Sequence, residues 1–189
     1  MVLVFFTDPN EKIDYNESLN INLGVGKWKS VNNQSTILGS ENSLLVIGKS
    51  DLSQERKMTF QEVFNKARKL KLKIIGVDHG MFLINEIFGG EKYFNKVCTS
   101  NEIFIGLGTK LASIIGGSGN VKVSSSRLNN LKINSKADNL MISAMNHEKG
   151  FIEAIEVKGE EEILGILWPL FGENKLPKGF ENIVKYIVD

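Results

Sequence analysis

Three short apolar runs constrain this chain more than any other feature: Val2-Leu3-Val4-Phe5-Phe6, Ser43-Leu44-Leu45-Val46-Ile47-Gly48 and Leu72-Lys73-Ile74-Ile75-Gly76-Val77. A strand with one face in water alternates apolar and polar residues. A run that stays apolar suits a strand covered on both faces, as in parallel sheets. Between the second and third runs, residues 58–70 place Phe60, Val63, Phe64, Ala67 and Leu70 on one helical face. Thr59 reads as the N-cap of that helix, with Glu62 completing a capping box. Residues 81–88 follow the third run as a second helix. The order strand, helix, strand, helix predicts an α/β three-layer sandwich with a mainly parallel central sheet and right-handed crossovers.

The remaining chain is less regular. Residues 8–42 are rich in Asn, Ser and Gly, with weak strand signals only at 21–25 and 35–38, so an early helix is expected to be absent or abbreviated. The second half offers strand candidates at 102–105, 110–115, 120–123, 140–145, 151–157 and 163–167, and residues 180–188 close the chain as an amphipathic helix. Gly106-Leu107-Gly108 and Gly116-Gly117-Ser118-Gly119 read as turns between strands rather than phosphate loops, which open a helix. A chain of 189 residues without internal repeat or long linker fits one domain, 1–189.

Charge and cysteine content narrow the function classes. With 23 basic and 22 acidic side chains interspersed, no global field attracts nucleic acid or an anionic membrane, and neither is expected as a partner. The single cysteine, Cys98, forms no internal disulfide, and the apolar start is too short to span a bilayer, so a cytoplasmic protein is expected. His147 falls in a hairpin turn, and no clustered His, Cys and carboxylate set marks a metal site; no cofactor is expected.

The segment with most chemical content is Gly76-Val77-Asp78-His79-Gly80, between the third run and the second helix. Glycines on both sides of Asp78 permit a sharp strand-to-helix turn that holds the central side chain out at the carboxyl edge of the sheet. Ligands bind at that edge in open α/β sheets, and the turn amides favour negative charge. Read alone, Asp78 could equally cap the helix.

The wider pattern carries a resemblance. Residues 76–93, G-V-D-H-G-M-F-L-I-N-E-I-F-G-G-E-K-Y, resemble the elbow of class I glutamine amidotransferase-like proteins of the gamma-glutamyl hydrolase type, G-I-C-R-G-x-Q-x-x-N-x-x-x-G-G-x-x-Y. The matches are Gly76, Gly80, Asn85, Gly89, Gly90 and Tyr93. Residues 44–51 look like the family's strand ending in G-G-x-D. Residues 150–156, G-F-I-E-A-I-E, resemble its G-x-I-E-A-I-E strand, and 165–169, G-I-L-W-P, the start of G-V-Q-W-H-P-E. The resemblance covers 43–189 and implies the flavodoxin-like class I glutamine amidotransferase fold.

It also implies a thiol nucleophile, a histidine base and a glutamate that orients the base. Here Asp78 stands at the nucleophile position, and Trp168 is followed by Pro169-Leu170-Phe171 where W-H-P-E would supply histidine and glutamate. The second glycine of the family's oxyanion strand is Lys49, and its S-x-H-H-Q segment is Ser125-Ser126-Arg127-Leu128-Asn129. The expectation is a catalytically degenerate protein with a binding or regulatory role, either as a homodimer or as the partner of an active enzyme. The alternative is a hydrolase of gamma-glutamyl or related amides with altered chemistry at Asp78. The ligand-binding candidates are Gly48, Lys49, His79, Gly80 and Arg127 around a small gamma-glutamyl or carboxylate ligand, with Asp78 ion-paired to Lys49 or Arg127.

Overall fold

The computed structural model describes residues 1–49, 51–100, 102–123, 125–171 and 176–189, with backbone only at 94–100 and 125–128. The elements in order are β1 (Val2–Phe6), α1 (Glu11–Leu23), β2 (Trp28–Ser30), a 3-10 turn (Gln34–Thr36), β3 (Ser43–Gly48), α2 (Gln54–Lys69), β4 (Lys73–Asp78) and α3 (His79–Ile87). There follow β5 (Phe94–Ser100), β6 (Ile103–Ile105), α4 (Lys110–Ile115), β7 (Gly119–Val121) and β8 (Ser125–Lys132). A second 3-10 turn (Ile133–Ser135), β9 (Leu140–Asn146), β10 (Phe151–Val157), β11 (Ile163–Ile166) and α5 (Glu181–Val188) complete the chain.

The sheet runs in the order β2-β1-β3-β4-β11-β10-β9-β6-β7, and its first five strands are mutually parallel. From β10 onward the pairing is antiparallel, and β8 joins β10 while carrying β5 as a two-stranded ribbon. The predicted three-layer α/β arrangement with a mainly parallel centre is thus present. Its apolar runs have a direct explanation. Leu3, Phe5, Leu44, Val46 and Ile74 pack with α2 and α3 on one face. The alternate residues Val4, Phe6, Leu45, Ile47, Ile75 and Val77 pack with α1, α4 and α5 on the other. Covering both faces removes the need for any polar position along the run.

Several sequence expectations give way. Residues 8–42 hold a full 13-residue helix, α1, where an absent or abbreviated one was expected, and the strand signals at 21–25 and 35–38 fall on its end and on the 3-10 turn. That helix buries only Leu19 and Leu23 among its apolar residues and leaves Ile13 and Ile21 exposed, so it carries no readable apolar stripe. Helix α2 begins at Gln54, capped by the Ser53 hydroxyl accepting from the Arg56 amide at 3.2 Å. Thr59 lies inside the helix and donates to the Glu55 carbonyl. Its first turn faces solvent, which hides the true start from periodicity.

Residues 110–115 form helix α4, not a strand. Thr109 caps it through the Ala112 amide at 3.1 Å, and Gly116 closes it at φ 79°. Gly106-Leu107-Gly108 therefore precedes a helix, although one of only six residues. Six residues with apolar ones at 111, 112, 114 and 115 fit either period, and the caps decide. Strands β5 and β8 went unread because β8 is largely polar, S-S-R-L-N-N-L-K.

Asn85 shows why part of the elbow motif reaches beyond the turn. Fully buried, it donates to the Glu91 and Ser135 carbonyls, each at 2.9 Å, and accepts from the Ala137 amide at 2.9 Å. A side chain at Gly90 would collide with it. Asn85 thus ties the end of α3 to the segment after β8. Asn85→Leu removes three hydrogen bonds to backbone groups, although the Ser135 carbonyl keeps the Glu91 amide, and is expected to cost about 3 kcal/mol in urea unfolding.

Candidate functional site

Helix α3 starts directly where β4 ends, and the backbone at the junction is unusual. Asp78 has φ 55° and ψ −118°, a conformation costing about 1–3 kcal/mol for a residue with a side chain. The two flanking glycines make the junction possible. A Cβ on Gly80 would overlap the Val46 carbonyl oxygen of β3, and one on Gly76 would lie 2.5 Å from the Gly80 carbonyl oxygen. Gly80 is therefore a packing residue beneath the site. The half-buried Asp78 makes no side-chain cap to α3, so the reading of Asp78 as a helix cap does not hold.

Asp78 borders a cavity of about 270 Å³ at the carboxyl edge of β3, β4 and β11. Lys49 lies just past β3, Pro169 follows β11, and α1 supplies a wall of Asp14, Tyr15 and Ser18. Burial raises the Tyr15 phenol well above its ordinary value, and the charges of Asp78, Glu11 and Asp14 add to the rise. The Lys49 ammonium stands 5.5 Å from the Tyr15 ring centroid. Among the described residues no ion pair joins Lys49 to Asp78, one of the two pairings expected for Asp78. The side chain of Arg127 lies outside the described residues.

The amide of Lys49 has a definite partner. It donates to Glu11 Oε1 at 2.9 Å, while Glu11 Oε2 accepts from the Thr7 hydroxyl at 3.0 Å and the Asp8 amide at 3.3 Å. Glu11 is buried at the start of α1, between the ends of β1 and β3. Gly48 is required beneath it, since a Cβ there would overlap Thr7 Oγ1 and lie 2.5 Å from Glu11 Oε2.

His79 turns away from this cavity. It is 1% exposed, and its Nε2 lies 3.1 Å from Asp51 Oδ1, while Tyr93 donates to Asp51 Oδ2 at 2.7 Å. The imidazole meets Phe82 and Tyr93 edge to face at 5.6 and 5.2 Å between centroids. Its Nδ1 is buried without a partner. Burial lowers the His79 pKa, against the opposing pull of Asp51. Burial alone would raise Asp51, yet the Tyr93 hydrogen bond and the nearby His79 bring it below the usual carboxylate value. A neutral imidazole donating from Nε2 fits these contacts.

The sequence candidates therefore separate. Gly48, Lys49 and Asp78 gather at one edge, Gly80 packs below them, and His79 belongs to a neighbouring polar cluster. Glu11, Asp14 and Tyr15 were missed, because the helix carrying them has no apolar period to reveal it. Among the described residues no cluster of three His, Cys, Asp or Glu could hold a metal ion.

Comparison with solved structures gives matches over almost the whole chain. A Thermoplasma acidophilum protein assigned as one subunit of GMP synthase aligns with a TM-score of 0.69 at 14% identity, covering 99% of this chain and 92% of its own. The glutaminase domain of Trypanosoma brucei CTPS with bound acivicin aligns at 0.70 and 12%, covering 100% and 93%. PurLQS from Thermotoga maritima aligns at 0.70 and 11%, covering 98% and 96%. At these identities the matches establish the fold, that of the class I glutamine amidotransferases. No family model and no curated protein matches the sequence.

The depressed His79 pKa gives stability a pH dependence of definite sign. An unfolded histidine titrates near pH ~6.5, so below that value the unfolded chain takes up the proton first. The contribution of neutral His79 is complete above that pH and is lost as pH falls towards the lower folded pKa. Urea midpoints measured between about pH 7.5 and about pH 5.5 are expected to fall for the native chain and to fall less for His79→Phe.

Proposed function

We propose that the chain is a class I glutamine amidotransferase-like protein of the gamma-glutamyl hydrolase type that has lost hydrolysis and serves as a binding or regulatory subunit. The observation that carries this reading is the Lys49 amide, held by the Glu11 carboxylate beside an elbow tipped with Asp78. Amide hydrolysis through an acyl-enzyme needs a strong nucleophile, a base within hydrogen-bond reach and free donors for the developing oxyanion. A carboxylate is a weak nucleophile towards an amide. Pro169 and Phe171 supply no proton acceptor, and an amide already bonded to a carboxylate is not open to a second anion.

The cavity itself favours binding. Its volume of about 270 Å³ suits a ligand of amino-acid size. Asp14 would attract an ammonium group, and Lys49 a carboxylate, so a gamma-glutamyl compound or similar amino acid fits the charge pattern. A role within a larger assembly is supported by fold neighbours such as PurLQS and the GMP synthase subunit. The partner would be an enzyme or a second copy of the chain. The reading sets its action in the cytoplasm, where a chain with one cysteine depends on no disulfide. No helix among the described residues is long and apolar enough to cross a membrane.

Incubation of the purified chain with glutamine or gamma-glutamyl p-nitroanilide is expected to release no glutamate or p-nitroaniline above the protein-free blank. Thermal-shift measurement with the same amino acids is expected to raise the melting temperature. Turnover that disappears in Asp78→Ala would overturn the reading and favour the alternative of a hydrolase with changed chemistry at Asp78.

A further inference from the structure

The carboxylate of Glu11 sits in an unusual place. In the order β2-β1-β3-β4 the connection leaving β1 runs one way, through α1 to β2, and the connection leaving β3 runs the other way, through α2 to β4. The crevice past the ends of β1 and β3 is the topological switch point, where doubly wound sheets bind ligands. Three donors converge there, namely the Thr7 hydroxyl and the amides of Asp8 and Lys49, at 3.0, 3.3 and 2.9 Å from the two Glu11 oxygens. Gly48 leaves the room they need. A buried carboxylate gripped by backbone amides and a hydroxyl is the environment a carboxylate-binding site provides.

Glu11 also anchors the part of α1 that walls the cavity at Asp78. The buried residues of this helix are Glu11, Leu19 and Leu23, and both leucines lie in its second half. That half is further tied down by Trp28 Nε1 donating to Asn20 Oδ1 at 2.9 Å. In the first half, Asn10 provides no side-chain cap and Ile13 is exposed, while Tyr15 leans on Phe6 with ring centroids 6.3 Å apart. The cavity wall of Asp14, Tyr15 and Ser18 belongs to this less anchored stretch.

We propose that Thr7, Asp8 and Lys49 form a carboxylate-binding site which the chain fills in cis with Glu11, and that this contact latches the first half of α1 as a lid over the Asp78 cavity. An external carboxylate that took the place of Glu11 would release the lid. The proposal goes beyond the reading of the chain as non-hydrolytic, and its readouts do not depend on activity.

The test is hydrogen exchange on the full chain for the native protein, Glu11→Ala and Glu11→Gln, in sodium acetate and in sodium chloride at equal ionic strength. In Glu11→Ala the amides of residues 11–18 are expected to exchange about tenfold faster or more, while those of 43–48 and 73–78 keep their protection. Acetate, but not chloride, should slow exchange of the Asp8 and Lys49 amides in Glu11→Ala without restoring protection at 11–18, and should leave the native chain, whose site Glu11 already fills in cis, unchanged. Glu11→Gln, which keeps the shape but not the charge, should give an intermediate acceleration. Unchanged exchange at 11–18 in either variant, acceleration spread equally over β3 and β4, or equal effects of acetate and chloride would overturn the proposal. Should Glu11→Ala fail to fold, the Glu11→Gln comparison at 11–18 decides it.

Discussion

The approach of α3 to the sheet is the constraint on which the rest of the molecule depends. Gly80 brings the first turn of the helix against the Val46 carbonyl, and Gly165 in β11 leaves no more than 2.6 Å between its missing Cβ and Met81 Cγ. The helix therefore seats across β3, β4 and β11 at a depth that side chains would forbid. Starting so close, it leaves no loop after β4, and the single residue at the junction must take up the whole change of direction. That residue is Asp78, at φ 55°. Its side chain is presented at the carboxyl edge as a consequence of packing below it.

Two further consequences follow from the same junction. The residue after Asp78 enters the helix at once, which places His79 under the sheet edge, where burial keeps it neutral and Asp51 fixes its Nε2. Beside Asp78, the polar groups of the edge are engaged by the chain itself. The Glu11 carboxylate takes the Lys49 amide, and the Lys49 ammonium stands over Tyr15. A site that in an open form would present an amide and a cation to a ligand instead holds an anion and a cation of its own.

Legibility in the sequence varied with the physical signal available. Runs 2–6 and 43–48 read directly because burial on two faces forces continuous apolarity, whereas β10 matched at 151–157 although the buried Glu153 and Glu156 interrupt its apolar residues. The glycines at 76 and 80 pointed to the elbow because only close backbone approach demands them on both sides of one residue. Helix α1 was illegible: Glu11 is among its buried anchors, so a charged residue stands where a periodicity argument looks for an apolar one. Without α1, the wall of the cavity and the partner of the Lys49 amide were out of reach. His79 was placed at the site by proximity along the chain, but a residue one step past a sharp turn points elsewhere.

The elbow also limits what can be argued from architecture. Gly76, Gly80 and Gly165 are required by steric contact with backbone and side chains beneath the site, and Asn85 with Gly90 by a buried hydrogen-bond cluster at the far end of α3. None of these contacts involves a reacting group. They would hold the turn in place whether its tip carried a thiol or a carboxylate, so the geometry persists under selection for folding alone. The strain at Asp78 is then no sign of catalysis by itself, since the packing imposes it on any residue there. What an elbow can do depends on the donors and acceptors around its tip, and on the reading proposed above the telling one is the Lys49 amide, already bonded to Glu11.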